Sequence, residues 1–341
     1  MKGLNMGVFI IAEAGVNHNG DICLAEKLIE EVAKTGCDAI KFQTFRTEHL
    51  VTITAGKAGY QKASTGAAET QFNMLKRLEL ADGDFSYLKA VCEKNNIEFL
   101  STPFDEGSVD LLERLAVKRY KLSSGDLTNK RLLQYVARTG KPLIISTGMS
   151  NELEITDAIT WVKESGNDDI TLMHCTSNYP ARYEDINMKA MQNMSQLYHL
   201  PVGYSDHTPG ITIPIMAVAL GALTIEKHVT ISKDLPGPDH KASLNIKELS
   251  EMVQSIRNVE KAFGNGEKVP VKNEYDTRIA ARKSIVITKD LPAGHILTAE
   301  DLDIKRPGDG IPPKYLDSIP GSVLLKTVTQ DTTLHFEDIK E

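Results

Sequence analysis

Two short segments, Gly203-Tyr204-Ser205-Asp206-His207-Thr208 and Ile225-Glu226-Lys227-His228, each place a histidine at the end of an apolar run. Where a strand leaves a core, its last side chains meet a pocket rim. Two imidazoles there can hold a divalent ion, manganese or a similar borderline metal, and leave positions open for substrate oxygen and water. Taken singly, either histidine equally fits a hydrogen-bonded structural role. As a pair beside Asp206 and Glu226, His207 and His228 are the metal candidates. A second chemistry is carried by Lys41 and Lys121, which with the hydroxyls of Ser124, Ser146 and Ser205 could hold a phosphate through point charges and charge-assisted hydrogen bonds. Either lysine alone would also fit a strand end capped by a solvated head. Glu13, within Ala12-Glu13-Ala14-Gly15-Val16-Asn17-His18-Asn19-Gly20, could orient a hydroxyl, move a proton, or pair with a rim lysine. Asp239, in Pro236-Gly237-Pro238-Asp239-His240, is the second carboxylate candidate. His18 and Asn19 read as turn residues ahead of a helix capped by Asp21, and Gly125 and Gly148 would permit close backbone approach.

These groups need a scaffold that brings distant strand ends together. Eight apolar or β-branched runs recur, at Val8–Ala12, Ala39–Phe42, Glu98–Ser101, Arg119–Leu122, Leu143–Ser146, Ile170–His174, Pro201–Tyr204 and Leu223–Lys227. Amphipathic segments at helical spacing lie between most of them, such as Leu24, Leu28, Ile29 and Val32, or Leu111, Leu112 and Leu115. That alternation predicts an α/β fold, a (β/α)8 TIM barrel, and no GxGxxG follows the first strand to suggest an open dinucleotide-binding sheet. The carboxyl ends of the strands then bring Glu13, Lys41, Gln43, Ser101, Thr102, Lys121, Ser123, Ser124, Ser146, Thr147, His174, Ser205, His207, Glu226 and His228 to one rim. Residues 47–82 are too long for an ordinary βα loop and are expected to form a lid or pocket wall. A helix over Ile246–Phe263 gives way to a polar, glycine-containing stretch, and the tail from Arg282 is rich in turns. The expected division is a barrel over 1–265, a linker over 266–281 and a small domain over 282–341.

With 341 residues, 41% hydrophobic and 25% charged, the chain can bury a barrel core and shows no disorder signature. Its net charge of -7 argues against a general nucleic-acid binder while allowing a local basic pocket. The four cysteines are scattered without a CxxC pair, so neither a disulfide framework nor a zinc ribbon is indicated. The run Val8–Ala12 is too short for a signal-peptide core, and the sequence has no membrane-length apolar stretch. A cytoplasmic enzyme is expected.

At these residues the chain resembles the sialic acid synthase family, over nearly its whole length. The resemblance rests on Glu13 to Gly20, Lys41-Phe42-Gln43-Thr44, Ser101-Thr102-Pro103-Phe104, Ser146-Thr147-Gly148-Met149, Gly203 to Thr208, Gly237-Pro238-Asp239 and Lys305-Arg306-Pro307-Gly308. It implies a TIM barrel followed by an antifreeze-like (SAF) domain of β-clip type. It also implies condensation of phosphoenolpyruvate with N-acetylmannosamine or a related acylated amino sugar, giving an N-acetylneuraminate-type product and phosphate. The alternative acceptor is 2,4-diacetamido-2,4,6-trideoxymannose, the precursor of N,N'-diacetyllegionaminate. By analogy Lys41, Lys121, Ser124, Ser146 and Ser205 would hold phosphoenolpyruvate, and His207 and His228 would hold manganese. Glu13, Gln43, Tyr179 and Asp239 would face the sugar, with Glu13, Asp239 and Lys121 as catalytic groups. Arg306 would reach the sugar in a partner's barrel, which implies a domain-swapped homodimer. Two departures stand out: Asp126 where many relatives have glutamate, and Ser177 where some have asparagine. Two other readings are a synthase acting on phosphorylated sugars and a non-enzymatic ice- or carbohydrate-binding protein. The first lacks such a tail, and the charged tail ill suits an ice-binding face.

Overall fold

The computed structural model describes residues 7–66 and 68–340. Its first eight strands are β1 (Phe9–Gly15), β2 (Ala39–Thr44), β3 (Glu98–Pro103), β4 (Tyr120–Leu122), β5 (Leu143–Ser146), β6 (Ile170–Cys175), β7 (Val202–Asp206) and β8 (Thr224–Thr230). Each lies on one of the expected apolar runs. They pair in parallel in the order β3-β2-β1-β8-β7-β6-β5-β4. β3 also packs against β4, which brings the two ends of that order together as a nearly closed (β/α)8 barrel.

Local signals set the helices around it. The helix Ile22–Ala33 begins where the Asp21 carboxylate accepts the Cys23 N–H at 2.8 Å. It buries Ala25, Leu28, Ile29 and Val32, while Leu24, expected in the buried stripe, is half-buried because Ala25 occupies that line. Reciprocal caps, Asn151 with Glu154 and Asn245 with Glu248, open the helices Glu152–Glu164 and Ile246–Ala262.

The strand period of two separates core from site. Outward residues such as Ile10, Phe42, Tyr120, Leu122, Tyr204 and Ile225 pack with the helices. Inward, Ile11, Ala39, Leu100, Ile144 and Met173 form an apolar floor. Leu100 is fully buried there, so Leu100→Ala would cost about 2–5 kcal/mol. Two residues further along the same strands the inward positions become Glu13, Lys41, Thr102, Ser146 and Cys175, and these line a cavity.

Residues 47–82 carry three short helices, Thr47–Leu50, Gly59–Thr65 and Gln71–Leu78. Glu79 ties this excursion down. It accepts the Thr47 N–H at 2.9 Å and hydroxyl at 2.8 Å, and pairs with Arg46 at 3.1 Å and Lys76 at 3.2 Å. Met74, Leu75 and Leu78 form its apolar underside together with Val16 and Phe45.

One compact unit ends at Phe263 and a second begins at Gly264. In the second, β9 is Ser284–Ile287, antiparallel to β10 (Leu302–Lys305), and β11 (Val323–Leu324) pairs with β12 (Ile339–Lys340). Ile285, Ile287, Leu297, Leu302, Leu324 and Leu334 are the centre of its own small core. Among the described residues no helix is long and apolar enough to cross a membrane, and Cys23, Cys37, Cys92 and Cys175 are all free thiols.

Candidate active site

The carboxyl ends of the barrel strands open into a cavity of about 430 Å³. Glu13, Lys41, Gln43, Lys121, Ser124 and Ser146 line it, as do Tyr179, Ser205, His207, His228 and Asp239. Glu226, a strand-end residue to which the sequence reading gave no role of its own, is also on the wall. Arg306 is exposed in the second unit, and the cavity is built from barrel residues alone.

At the bottom lies a buried charge cluster. Lys41 Nζ is 2.7 Å from Glu13 Oε2, 3.8 Å from Glu226 Oε2 and 3.0 Å from Thr102 Oγ1. Lys121 Nζ is 3.5 Å from Glu226 Oε1. Glu13 therefore does pair with a rim lysine, yet it keeps a second function, since its Oε1 accepts Gln43 Nε2 at 3.2 Å. Burial pushes the Glu13 carboxyl up to about 7 against the pull of Lys41, with Glu226 adding repulsion. Glu226 is buried too, but Lys121 and Lys41 outweigh that and hold it at about 2. Burial lowers Lys121, and Lys41 is raised because Glu13 and Glu226 overcome its desolvation. Because Glu13 is raised to about 7, its negative charge is only partly present near neutral pH, which biases the cluster toward an anion.

The serines surround this cluster unequally. Ser205 Oγ donates to Glu226 at 3.1 Å, and Ser124 Oγ accepts the Gly148 N–H at 3.0 Å. Among the described residues nothing partners the buried Ser146 Oγ, a costly state unless a ligand completes it. A Cβ on Gly148 would collide with Ser177 and Ser124, so the close backbone approach expected there is real. Gly125 has no such need, its nearest neighbour being Ser123 Oγ at 3.7 Å. Of the two departures, Ser177 lines the cavity, whereas Asp126 bonds Ser123 Oγ at 2.5 Å and Asn129 within its own turn.

The two histidines stand together on one wall, ring centroids 5.5 Å apart. His207 Nδ1 is engaged by the Thr176 carbonyl at 2.7 Å, which leaves Nε2 as the free lone pair. His228 Nδ1 and Asp239 Oδ1 are buried and have no hydrogen-bond partner among the described residues, and Asp239 Oδ2 is 3.9 Å from His228 Nδ1. Burial, reinforced by His207, keeps His228 neutral, well below its ordinary value, and burial raises Asp239 to about 6. Burial would lower His207, but Cys175 and the Thr176 carbonyl raise it, so it is the neutral His228, with its unpartnered nitrogen and the Asp239 carboxylate nearby, that fits a divalent ion most readily. Among the described residues no three His, Cys, Asp or Glu cluster as a ready-made metal cage, so the protein would supply few ligands and substrate or water the rest. Tyr179 stacks on His207 at 4.0 Å and on Tyr60 at 4.8 Å, linking this wall to the excursion over residues 47–82.

The loops after β1 and β8 are stapled together. Asn17 Nδ2 donates to the Val229 carbonyl at 2.8 Å and to Ser243 Oγ at 2.9 Å, and Ser243 in turn donates to the Asp239 carbonyl at 2.7 Å. His240 spans Thr230 Oγ1 at 2.7 Å and Asn19 Oδ1 at 3.2 Å. The turn reading of Asn19 thus understates it, because the turn also braces the Asp239 loop.

Several rim residues face away from the cavity. Ser101 Oγ meets Thr44 Oγ1 at 2.7 Å, His174 Nε2 meets the Ile186 carbonyl at 2.7 Å, and Thr147 donates to Met173 O at 3.0 Å. Asp206, placed beside the metal pair in the sequence reading, turns outward to Lys227, and both are fully buried. One strand position decides this: Ser205 and His207 face in, so Asp206 faces out. The residues the sequence did not assign are Tyr60, Gln61, Gln71, Met74, Leu75 and Leu78, whose only signal was the excess length of their loop.

A barrel whose strand ends set a buried lysine–glutamate cluster beside paired imidazoles can hold an anionic substrate next to a metal. The NeuB family profile matches residues 28–268 and the SAF domain profile residues 282–340. The chain belongs to the NeuB family and is an enzyme of the sialic acid synthase type. It is 49% identical to the N,N'-diacetyllegionaminic acid synthase of Legionella pneumophila, over 99% of this chain and 96% of that one. It is 45% identical to the N,N'-diacetyllegionaminic acid synthase of Campylobacter jejuni, over 94% and 97%. The crystal structure of the N-acetylneuraminic acid (sialic acid) synthetase from Leptospira borgpetersenii superposes with a TM-score of 0.70 at 36% identity, covering 81% of this chain and 94% of that one.

Proposed function

We propose that this enzyme condenses phosphoenolpyruvate with an N-acylated mannosamine-type sugar, yielding a nonulosonic acid and phosphate. The observation that carries this reading is the single cavity holding Lys41, Lys121 and the unpartnered Ser146 hydroxyl next to His207, His228 and Asp239. Of the two acceptors, 2,4-diacetamido-2,4,6-trideoxymannose is favoured over N-acetylmannosamine by the relatives at 49% and 45% identity.

Lys41 and Lys121 offset the phosphate and carboxylate charges of phosphoenolpyruvate, and Ser124, Ser146 and Ser205 donate to its oxygens. Glu13, Gln43, Tyr179 and Asp239 hold the open-chain sugar so that its C1 lies against C3 of phosphoenolpyruvate. A manganese ion held by His207 and His228 would act as a Lewis acid toward the aldehyde oxygen. Attack of C3 on C1 forms the new bond and leaves positive charge at C2 of the phosphoenolpyruvate unit. Water adds there, and the C–O bond to phosphate breaks. One proton of that water passes through a carboxylate to the C–O⁻ formed from the aldehyde, and the other leaves with the phosphate as the C2 ketone forms. Glu13 and Asp239, with values of about 7 and about 6, are suited to these transfers near neutral pH.

The same reading makes the protein a cytoplasmic homodimer. Residues 266–281 connect the barrel to the SAF domain and are exposed throughout, with Val269, Val271, Tyr275 and Ile279 each at least half exposed. A second copy covering those four side chains would receive Arg306 at its acceptor sugar.

The test is phosphate release from phosphoenolpyruvate with manganese and each acceptor in turn. Release that needs both sugar and metal, and is lost with metal content in His207→Ala, supports the reading. Release with erythrose 4-phosphate or arabinose 5-phosphate instead would replace it.

A further inference from the structure

We infer that Ser284 and Gly308 are positioning residues for Arg306, holding the turn over residues 306–310 in one shape before any sugar arrives. The inference rests on the reading of Arg306 given above and goes beyond it, by naming what aims that side chain.

The turn leaves β10 and leads to Ile311. Arg306 and Asp309 are exposed on it, and among the described residues neither has an ion-pair partner, whereas the neighbouring Lys305 pairs with Asp331. A turn whose side chains bury so little is ordinarily loose. Here the backbone is tied from two sides while the guanidinium stays free.

On one side Ser284 spans the turn. This residue opens β9, lies opposite Lys305 in the antiparallel pair, and is fully buried. Its hydroxyl donates to the Pro307 carbonyl at 2.8 Å and accepts the Gly310 N–H at 2.9 Å. One buried side chain thus serves a backbone acceptor and a backbone donor that lie past the end of the β9–β10 ladder. The exit is pinned at Ile311, whose N–H donates to the Leu334 carbonyl at 2.8 Å and whose carbonyl accepts the Ile285 N–H at 2.9 Å.

On the other side the helix Tyr275–Ala281 meets the turn at Gly308. The last carbonyls of a helix have no donor within it. The Ile279 carbonyl takes the Gly308 N–H instead, at 2.7 Å. That approach needs glycine, because a Cβ on Gly308 would stand 2.4 Å from the Arg282 Cβ, an atom next to the backbone that cannot swing aside. Gly310 is confined in the same way by Thr333 and Leu334. These ties are separate from the core of the unit, which is built from residues such as Ile285, Ile287, Leu302, Leu324 and Leu334. A loop that must be ordered on binding loses affinity to that ordering. A turn already tied at both ends leaves only the Arg306 side chain to settle.

The experiment uses the full-length enzyme with phosphoenolpyruvate, manganese and 2,4-diacetamido-2,4,6-trideoxymannose. Arg306→Ala should raise the sugar KM at least about 10-fold, the value of a hydrogen bond from a charged group. Ser284→Ala and Gly308→Ala should each raise it roughly 2–10-fold, the cost of ordering one side chain, with kcat and the KM for phosphoenolpyruvate unchanged. In an Arg306→Ala background neither change should raise it further. A rise that persists in that background marks a general structural role and overturns the inference. So does a wild-type sugar KM in both single variants while Arg306→Ala still raises it, an outcome that leaves the reading of Arg306 intact. No effect of Arg306→Ala removes that reading, and this inference with it. Should a variant not fold, the wild-type enzyme decides: amide hydrogen exchange over residues 305–311 should be slow before sugar is added, and exchange at the rate of an open loop overturns the inference.

Discussion

β7 and β8 carry two buried ion-pair systems one residue apart, and they are built to opposite ends. Outward, Lys227 pairs with Asp206 and donates to the Thr208 carbonyl, and Asp206 also accepts the Thr208 N–H and hydroxyl, each at 3.0 Å. Every strong group in that set has a partner. Inward, Glu226 shares Lys41 and Lys121 at 3.8 and 3.5 Å, while Glu226 Oε2, Ser146 Oγ, His228 Nδ1 and Asp239 Oδ1 have no hydrogen-bond partner among the described residues. A closed network fixes the loop between two strands. An open one, costly in the free protein, is a preformed receptor for charge that arrives with substrate.

That contrast can be broken from either side. The largest expected effect on folding is from Lys227→Met, which strands a fully buried carboxylate and should cost about 3–5 kcal/mol in denaturant unfolding. Adding Asp206→Asn should recover part of it. The mirror change, Lys121→Met, should lower kcat/KM for phosphoenolpyruvate by at least about 10²-fold. Its unfolding free energy should shift by less than about 1 kcal/mol, because Glu226 keeps Lys41 and Ser205 as neighbours. A Lys121→Met loss of stability as large as that of Lys227→Met would erase the distinction between the two systems.

Ser146→Ala sharpens it. Removing an unpartnered buried hydroxyl should leave stability unchanged or raised, yet raise the KM for phosphoenolpyruvate by roughly 10-fold, the value of one hydrogen bond to a charged group. The smallest effect concerns Glu79. Burial would raise its carboxyl, but the Thr47 N–H and hydroxyl, Lys76 and Arg46 prevail and hold it at about 2. A depressed carboxyl contributes stability that is complete above its unfolded value and is lost as pH falls through the folded one. Protease resistance of residues 47–82 should therefore decline between pH 4.5 and about 2, and Glu79→Gln should flatten that dependence.

Much of this molecule was legible in one dimension. Apolar runs separated by amphipathic segments located all eight barrel strands, since a strand buried on both faces must be apolar along its length. Polar residues closing those runs marked Lys41, Lys121, His207 and His228, because burying such groups is costly without a purpose. Asp21 as a helix cap and residues 47–82 as a pocket wall followed from local chemistry and loop length. The errors cluster on one variable. Ser101, Thr147 and His174 read as rim residues because they end strands, and Asp206 as a neighbour of the metal pair, but all four stand at the outward parity.

The sequence by itself determined the strands, the helices and the inventory of reactive groups, because hydrophobic period and capping are local. Only the tertiary structure decided which of those groups share a cavity. Barrel closure and strand register set which side chains face in, which lysine meets which glutamate, and that Asn17 and Ser243 should brace the loop of Asp239. Those are contacts between residues far apart along the chain, and no local pattern encodes them.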